Sequence, residues 1–348
     1  MVDKIKQALD AIAQLTPKEK QIFLSKLFVN RNPKVTSPLN TSVGKNRFRN
    51  GISCPHCNSV KTVRNGKVNN RQHYRCMECG KAFSDTTKTV AFKSKYHYDT
   101  WLLYMECMQL GLSIKASAER CGISKATSFY WRHKILASLE NIEDKIAPLN
   151  GVVEADETFF LASYKGNHSQ DGFVMPRPPK KRGTPAKKRG LSNEQICVPC
   201  AISRDNGVRA RISGTGKVSL GKIKYAFAGK IEDGTVLVTD KERSYIKFAE
   251  ESNLSLIRIK ADNHIYKGIY HIQHINAFHS RLKGFMRRFN GISTKHLNNY
   301  LAWFIWIWTH RDIKDVRFVN NSLIESLSNE FVCTIRDIRN KPELPWTA

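Results

Sequence analysis

The chain has 348 residues, 41% of them hydrophobic, enough to bury a sizeable core in at least one of two or three domains. Its 57 Lys and Arg against 30 Asp and Glu leave a net charge of +27, which points to a polyanionic partner, either nucleic acid or an anionic membrane. The longest apolar run, Tyr300 to Trp308, falls far short of the roughly 20 residues of a spanning helix, and the opening MVDKIKQALD has no apolar signal core. An intracellular protein with a nucleic-acid partner and no membrane is therefore expected.

Residues 1–30 read as a small helical element: Ile5, Leu9, Ile12 and Leu15 keep helical spacing, and Thr16-Pro17-Lys18-Glu19 restarts a helix. Residues 31–50, rich in Pro, Ser, Asn, Gly and basic residues without periodicity, read as a linker. Residues 51–90 then carry Cys54, Cys57, Cys76 and Cys79 in a C-x2-C-x18-C-x2-C pattern. Two pairs of thiolates, each in a tight knuckle, predict a closed tetrahedral four-sulfur Zn²⁺ site of structural kind, a zinc ribbon. His56 is a weaker competing ligand. Lys61, Arg64, Lys67, Arg71 and Arg75 make this module basic, as a DNA contact requires. Cys197 and Cys200 form a pair without a matching pair and read, with Cys107, Cys121 and Cys333, as core thiols.

Residues 95–145 predict helices. Trp101, Leu102, Met105, Met108 and Leu110 form one apolar stripe, a second helix runs about 113–120, and a third follows the turn at Cys121-Gly122-Ile123 with Ser124 as N-cap. The stretch 111–135 resembles a helix-turn-helix. Its last helix would offer Lys125, Thr127, Ser128 and Arg132 to a major groove.

From Gly151 the texture changes. Strands are expected at 152–160, 196–203, 208–213, 235–240 and 254–259, and helices at 217–228, 243–251, 270–289 and 294–309, an α/β domain with a mixed sheet spanning 150–312. Between the first two strands, residues 165–190 hold eight Lys and Arg against one Asp, among them Lys180, Lys181, Arg182, Lys187, Lys188 and Arg189. This reads as a mobile basic insertion that binds DNA. Residues 313–348 form a C-terminal extension. Asp156 in VVEADETFF and Asp240 at the end of TVLVTD are carboxylates delivered by neighbouring strands, the start of a two-metal site for phosphoryl transfer.

EADETFF, VTDKERSY and HINAFHSRLKGFMRRFNGISTKHLNNYLAWFIW resemble the catalytic blocks of insertion-sequence transposases of the ISXO-like group, a resemblance covering about residues 50–310. It implies a ribonuclease-H-like catalytic domain preceded by the zinc ribbon and helix-turn-helix. It further implies Mg²⁺ or Mn²⁺ dependence, cleavage and strand transfer on double-stranded DNA, a homodimer or higher oligomer on that DNA, and the cytoplasm and nucleoid of a prokaryote. Most such enzymes complete the metal site with a glutamate on the last helix and a lysine seven residues later. Here no Asp or Glu occurs from Asn263 through Arg311, and the residue seven before Lys283 is Asn276. Two helical turns put both on one face, a pattern similar to the group's Asp-Asp-Asn-Lys variant. His279, one turn after Asn276, is the alternative third residue; Glu154, Glu157, His271 and His274 are weaker ones. Arg287, Arg288 and Lys295 extend the basic face for phosphates, and Trp303, Trp306 and Trp308 read as core. Two alternative functions follow: a transposase-derived DNA-binding regulator without catalysis, favoured by the missing third carboxylate, and a plain metal-dependent endonuclease.

Overall fold

The protein is described here by a computed structural model covering residues 38–68, 71–166, 192–259, 269–310 and 325–342, with short fragments at 174–175 and 265–266 and isolated positions in 1–20. The six insertion cations Lys180, Lys181, Arg182, Lys187, Lys188 and Arg189, and most of the expected 1–30 element, lie outside the described residues. The chain divides into two compact units, one of Met1–Arg132 with Asp315–Val332, the other of His133–Lys314 with Cys333–Ala348.

The first unit begins with α1 (Pro38–Arg47), inside the stretch expected to be a linker. Its sequence has no amphipathic period, so tertiary contacts override propensity. Val43 is fully buried, and the Arg47 guanidinium donates to the Thr87 carbonyl at 2.7 Å and the Ser328 carbonyl at 3.3 Å. Strands β1 (Thr62–Val68), β2 (Arg71–Cys76) and β3 (Ala82–Ser84) form a three-stranded antiparallel sheet. Its apolar content is small: buried Cys54, Cys76 and Phe83 with Phe48, Ile52 and Tyr74 packed on them.

Helices α2 (Tyr98–Gln109), α3 (Ile114–Cys121) and α4 (Lys125–Glu143) follow. Trp101 of α2 stacks on Trp131 of α4 with ring centroids 3.7 Å apart. Leu110, expected in the apolar stripe, is exposed, because α2 ends there and Gly111 turns the chain at φ +70°. Ser113 caps α3 by accepting the Ala116 N–H, and Gly122, at φ +63°, closes it with its own N–H. Ser124 accepts the Thr127 N–H at 3.0 Å and starts α4. Lys125 is exposed and Thr127 half-buried.

Two residues expected to meet DNA do not face solvent. Ser128 is fully buried, donating to the Ile114 carbonyl at 2.8 Å, and Arg132 is buried, donating to the Leu112 carbonyl at 2.7 Å. Positions 128, 131, 132 and 135 are the i, i+3, i+4, i+7 stripe that turns α4 inward. A guanidinium on that stripe satisfies the carbonyl exposed by the α2–α3 turn, a structural task rather than a groove contact.

The second unit holds a sheet of β4 (Val152–Leu161), β5 (Gln195–Ser203), β6 (Val208–Ala210), β8 (Val236–Thr239) and β9 (Ser255–Arg258) in the order β6-β5-β4-β8-β9, with β7 (Gly214–Thr215) paired to β5. β4, β5 and β6 pair antiparallel, while β8 and β9 join β4 in parallel. α5 (Leu220–Phe227) and α6 (Ser244–Glu251) cover one face, where Ile223, Phe227, Tyr245 and Phe248 bury Val153, Ala155, Ala201 and Leu237. A short hairpin of β10 (Ile265–Tyr266) and β11 (Tyr270–His271) leads into α7 (Gln273–Arg287), followed by α8 (Leu297–Thr309). These two helices cover the other face; Phe278 packs on Phe304 and Trp308, and Phe285 on Trp303. Trp303, Trp306 and Trp308 are buried, as is Lys295, which therefore does not extend an exposed basic face. α9 (Ile335–Arg339), with Thr334 and Asp337 in a capping box, completes the unit.

Arg132→Ala should lower stability by about 2–3 kcal/mol, because it strips the Leu112 carbonyl of a charged donor and opens a void. Urea unfolding monitored by tryptophan fluorescence reads this; an unchanged midpoint would return Arg132 to the surface class.

Candidate functional site

Two sites emerge, one in each unit. In the first, the two cysteine knuckles are near-copies. Asn58 N–H bonds to the Cys54 carbonyl and Gly80 N–H to the Cys76 carbonyl, both at the fourth position and both at positive φ, +62° and +70°. Glycine or asparagine is what that conformation tolerates. The folds bring Cys54 Sγ to 3.6 Å from Cys79 Sγ and Cys57 Sγ to 3.5 Å from Cys76 Sγ, and all four sulfurs lie within 4.8 Å of one another. None is in a disulfide. Four metal–sulfur bonds of about 2.3 Å in a tetrahedron hold sulfurs about 3.8 Å apart, so the set fits one tetrahedral ion. Backbone amides aimed at Cys76, first that of Cys79, hold its thiol down to about 6, which favours the thiolate a metal needs. His56 shares the knuckle only through its N–H, 3.4 Å from Cys54 Sγ.

In the second unit the decisive constraint is strand register. β4 and β8 run parallel with Val153 opposite Leu237 and Ala155 opposite Thr239, so Asp156 and Asp240 are the next pair along. Alternation sends Ala155 into the α5/α6 core and Asp156 to the opposite face, under α7. Burial, helped by the charge of Asp240, pushes the Asp156 carboxyl up to about 6. A half-buried carboxylate whose ionisation is opposed by burial and by a neighbouring acid is a donor that a divalent cation would relieve. Asp240 also closes its strand, its Oδ1 accepting the Glu242 N–H at 2.9 Å.

α7 lies over these acids. His279 is buried, with Nδ1 3.5 Å from Asp156 Oδ2. Burial, and then Lys283, depress it to about 4, so its ring is neutral at pH 7, and its Nε2 has no hydrogen-bond partner among the described residues. Lys283 is exposed and acts on both Asp156 and His279 electrostatically. Asn276 is exposed, one turn before His279. Glu157 points to the other face, toward the buried Tyr245, and burial raises it to about 7. Arg287 and Arg288 are exposed near the C-terminus of α7.

A neighbouring network was only partly legible in the sequence. Glu154, two residues before Asp156 on the same strand face, is fully buried. Its Oε2 accepts the Ile275 N–H in the first turn of α7 at 3.1 Å, and its Oε1 meets His274 Nδ1 at 2.7 Å, Arg204 at 3.1 Å and His271 Nδ1 at 3.3 Å. The carboxylate thus ties α7 to β4 next to Asp156, at the helix end that favours negative charge. Glu154, His271 and His274 could by themselves ligate a metal ion. The Arg204 guanidinium, however, lies 3.0 Å from nitrogens of both histidines, and it already supplies the cation. Arg204 sits in the β5–β6 turn, where an isolated arginine carries no sequence signal.

With this geometry in place, the comparisons are informative. The family model of the ISXO2-like transposase domain matches residues 148–309. A protein of Halobacterium salinarum, described as an uncharacterized protein in transposable element ISH50, is 25% identical over 264 residues, 74% of this chain and 85% of its own length. Among solved structures, a Mos1 transposase paired-end complex with left transposon end aligns over 68% of this chain and 76% of that chain at 12% identity and a TM-score of 0.25. A pre-cleavage Mos1 transpososome aligns over 91% and 100% at 11% identity and a TM-score of 0.21. Scores this low carry no argument.

Glu154→Ala should destabilise the protein by about 2–3 kcal/mol, since it leaves a helix-end N–H and a cation without their buried partner; half-exposed Arg204 recovers some hydration. Thermal unfolding reads the loss, and a Glu154→Ala variant as stable as the parent would show that the network holds nothing.

Proposed function

We propose that the chain, whose residues 148–309 match the family model of the ISXO2-like transposase domain, is a transposase that binds the ends of its element and catalyses metal-dependent DNA strand cleavage and strand transfer. The observation that carries this reading is the parallel β4–β8 register that sets Asp156 beside Asp240 beneath α7. The sheet order, three antiparallel strands followed by two parallel ones with helices on both faces, supports a ribonuclease-H-like assignment.

In this reading Asp156 and Asp240 hold Mg²⁺ or Mn²⁺, with Asn276 as the neutral third residue. When bound, the ions supply Lewis acidity and stabilise charge developing on the phosphate. The remaining work falls to the chain. His279, neutral and buried against Asp156, fixes the orientation of that carboxylate. Lys283 presents a cation to a phosphate oxygen or a departing oxygen. In the first unit the four cysteines hold Zn²⁺ as a zinc ribbon, and α3–α4 serve as a helix-turn-helix with exposed Lys125 and half-buried Thr127 toward DNA. The 165–190 cations, with Arg287 and Arg288, add phosphate contacts, and the active species is a dimer or larger on DNA.

A supercoiled plasmid carrying the element ends tests the whole reading. Asp156→Ala and Asp240→Ala should abolish both cleavage and joining. Asn276→Ala should cost joining heavily while Asn276→Glu retains activity. If His279→Ala loses joining and Asn276→Ala joins at the parental rate, the third ligand is His279. Cleavage without joined products would make the protein an endonuclease, and binding without cleavage a DNA-binding regulator.

The zinc assignment has its own measurement. Cys76→Ser should lose stoichiometric zinc and unfold the 51–90 module, since its own apolar core is three buried residues and a few neighbours. Metal analysis of freshly purified parent that finds no zinc would refute it.

A further inference from the structure

α7 has two solvent-facing flanks on either side of its buried stripe of Ile275, Phe278, Leu282, Phe285 and Met286. One carries Asn276 and Lys283, with buried His279 at its edge. On the other, His274, Arg281 and Arg288 recur at seven-residue intervals, with Ala277 and Gly284 between them, and all five are exposed. Two turns separate each of these three residues from the next, and small residues keep the intervening surface low; a Cβ added at Gly284 would meet nothing within 4 Å.

Three observations point to an anion on this flank. First, among the described residues neither Arg281 nor Arg288 has an acidic partner. Each guanidinium instead lies over an aromatic ring, Arg281 over Trp308 at 5.3 Å and Arg288 over Phe285 at 5.4 Å. Ring stacking fixes the guanidinium plane while leaving its N–H donors available. Second, a cavity of about 300 Å³ opens at the N-terminal end of the strip, lined by Ser203, Arg204, Asn206, His274, Arg281 and Trp308, with no acid in its wall. Third, the 263–311 stretch that supplies α7 and α8 contains no Asp or Glu at all.

We infer that this strip is a binding surface for the phosphodiester backbone of duplex DNA, separate from the flank that faces the carboxylates. From His274 to Arg288 the strip runs about 21 Å. That length exceeds a single nucleotide and calls for a polymer. Its arginines lie on a different flank of α7 from Asn276 and Lys283, and in this inference they engage DNA away from the bond being cut. Arg281 is its central residue. The inference rests on the DNA reading above, which already takes Arg288 as a phosphate contact, and adds to it Arg281 and the cavity beside it.

The test is binding of a fluorescein-labelled duplex to the full chain, measured by anisotropy across a salt series in the presence of EDTA, so that cleavage plays no part. Arg281→Gln should reduce the slope of log affinity against log salt by about 1, and Arg281→Gln with Arg288→Gln by about 2. Arg281→Lys keeps the charge and should keep the parental slope. Lys247→Gln removes the same charge from exposed α6, across the sheet, and should leave the slope unchanged. A parental slope in the double variant would overturn the strip while leaving the DNA reading intact. An equal loss in Lys247→Gln would also overturn it, by reducing the effect to net charge. A parent that binds no duplex even at low salt would overturn both.

Discussion

Parallel pairing of β4 with β8 places two acids side by side in a half-buried position, and the second unit is arranged around that placement. Burial, and then the neighbouring charge of Asp240, makes Asp156 harder to ionise, as its upward shift to about 6 records. Proteins rarely keep such a pair without a task, since burying charge needs a partner. From α7 the chain brings His279, held neutral, with exposed Lys283 and Asn276 on the same helix, while Glu157 and Glu242 add negative charge nearby.

The neighbouring carboxylate shows the opposite solution on the same strand. Glu154 is more deeply buried than Asp156, yet it is surrounded by a guanidinium, a histidine and a helix N–H. One acid is fully satisfied by the protein and the other is not. That contrast separates a residue that fixes α7 from one left available for chemistry.

Much of this was legible in the sequence because it obeys short periods. Strand alternation around Asp156, the C-x2-C repeats, and the order of strands and helices after Gly151 all follow local rules. What the sequence hid depends on contacts between distant segments. Residues 38–47 lack an amphipathic pattern and became a helix through Val43 and Arg47. Arg132, Ser128 and Lys295 looked like surface cations and hydroxyls, and packing turned them inward. Arg204 reaches Glu154 from a turn fifty residues along the chain, a pairing no local window contains. The third site residue was read from the spacing of Asn276 to Lys283, whereas depth of burial brings His279 nearest to Asp156.

The hairpin of β4 and β5 explains where this chain could grow. Nine consecutive pairs, from Val153 with Ser203 to Leu161 with Gln195, hold the two strands together. Adding one residue within that ladder would move Asp156 into the apolar layer of Phe227 and Phe248 and bring Ala155 to the site, losing core and chemistry in one step. Adding residues beyond Leu161 leaves every pair in place, and the entropy of closing a longer loop rises only with the logarithm of its length. The long basic connection between these strands therefore sits at a position where length can change freely during descent. Sequence drift among relatives of this chain should accordingly concentrate there in number as well as kind of residue, while the strands on either side keep their count.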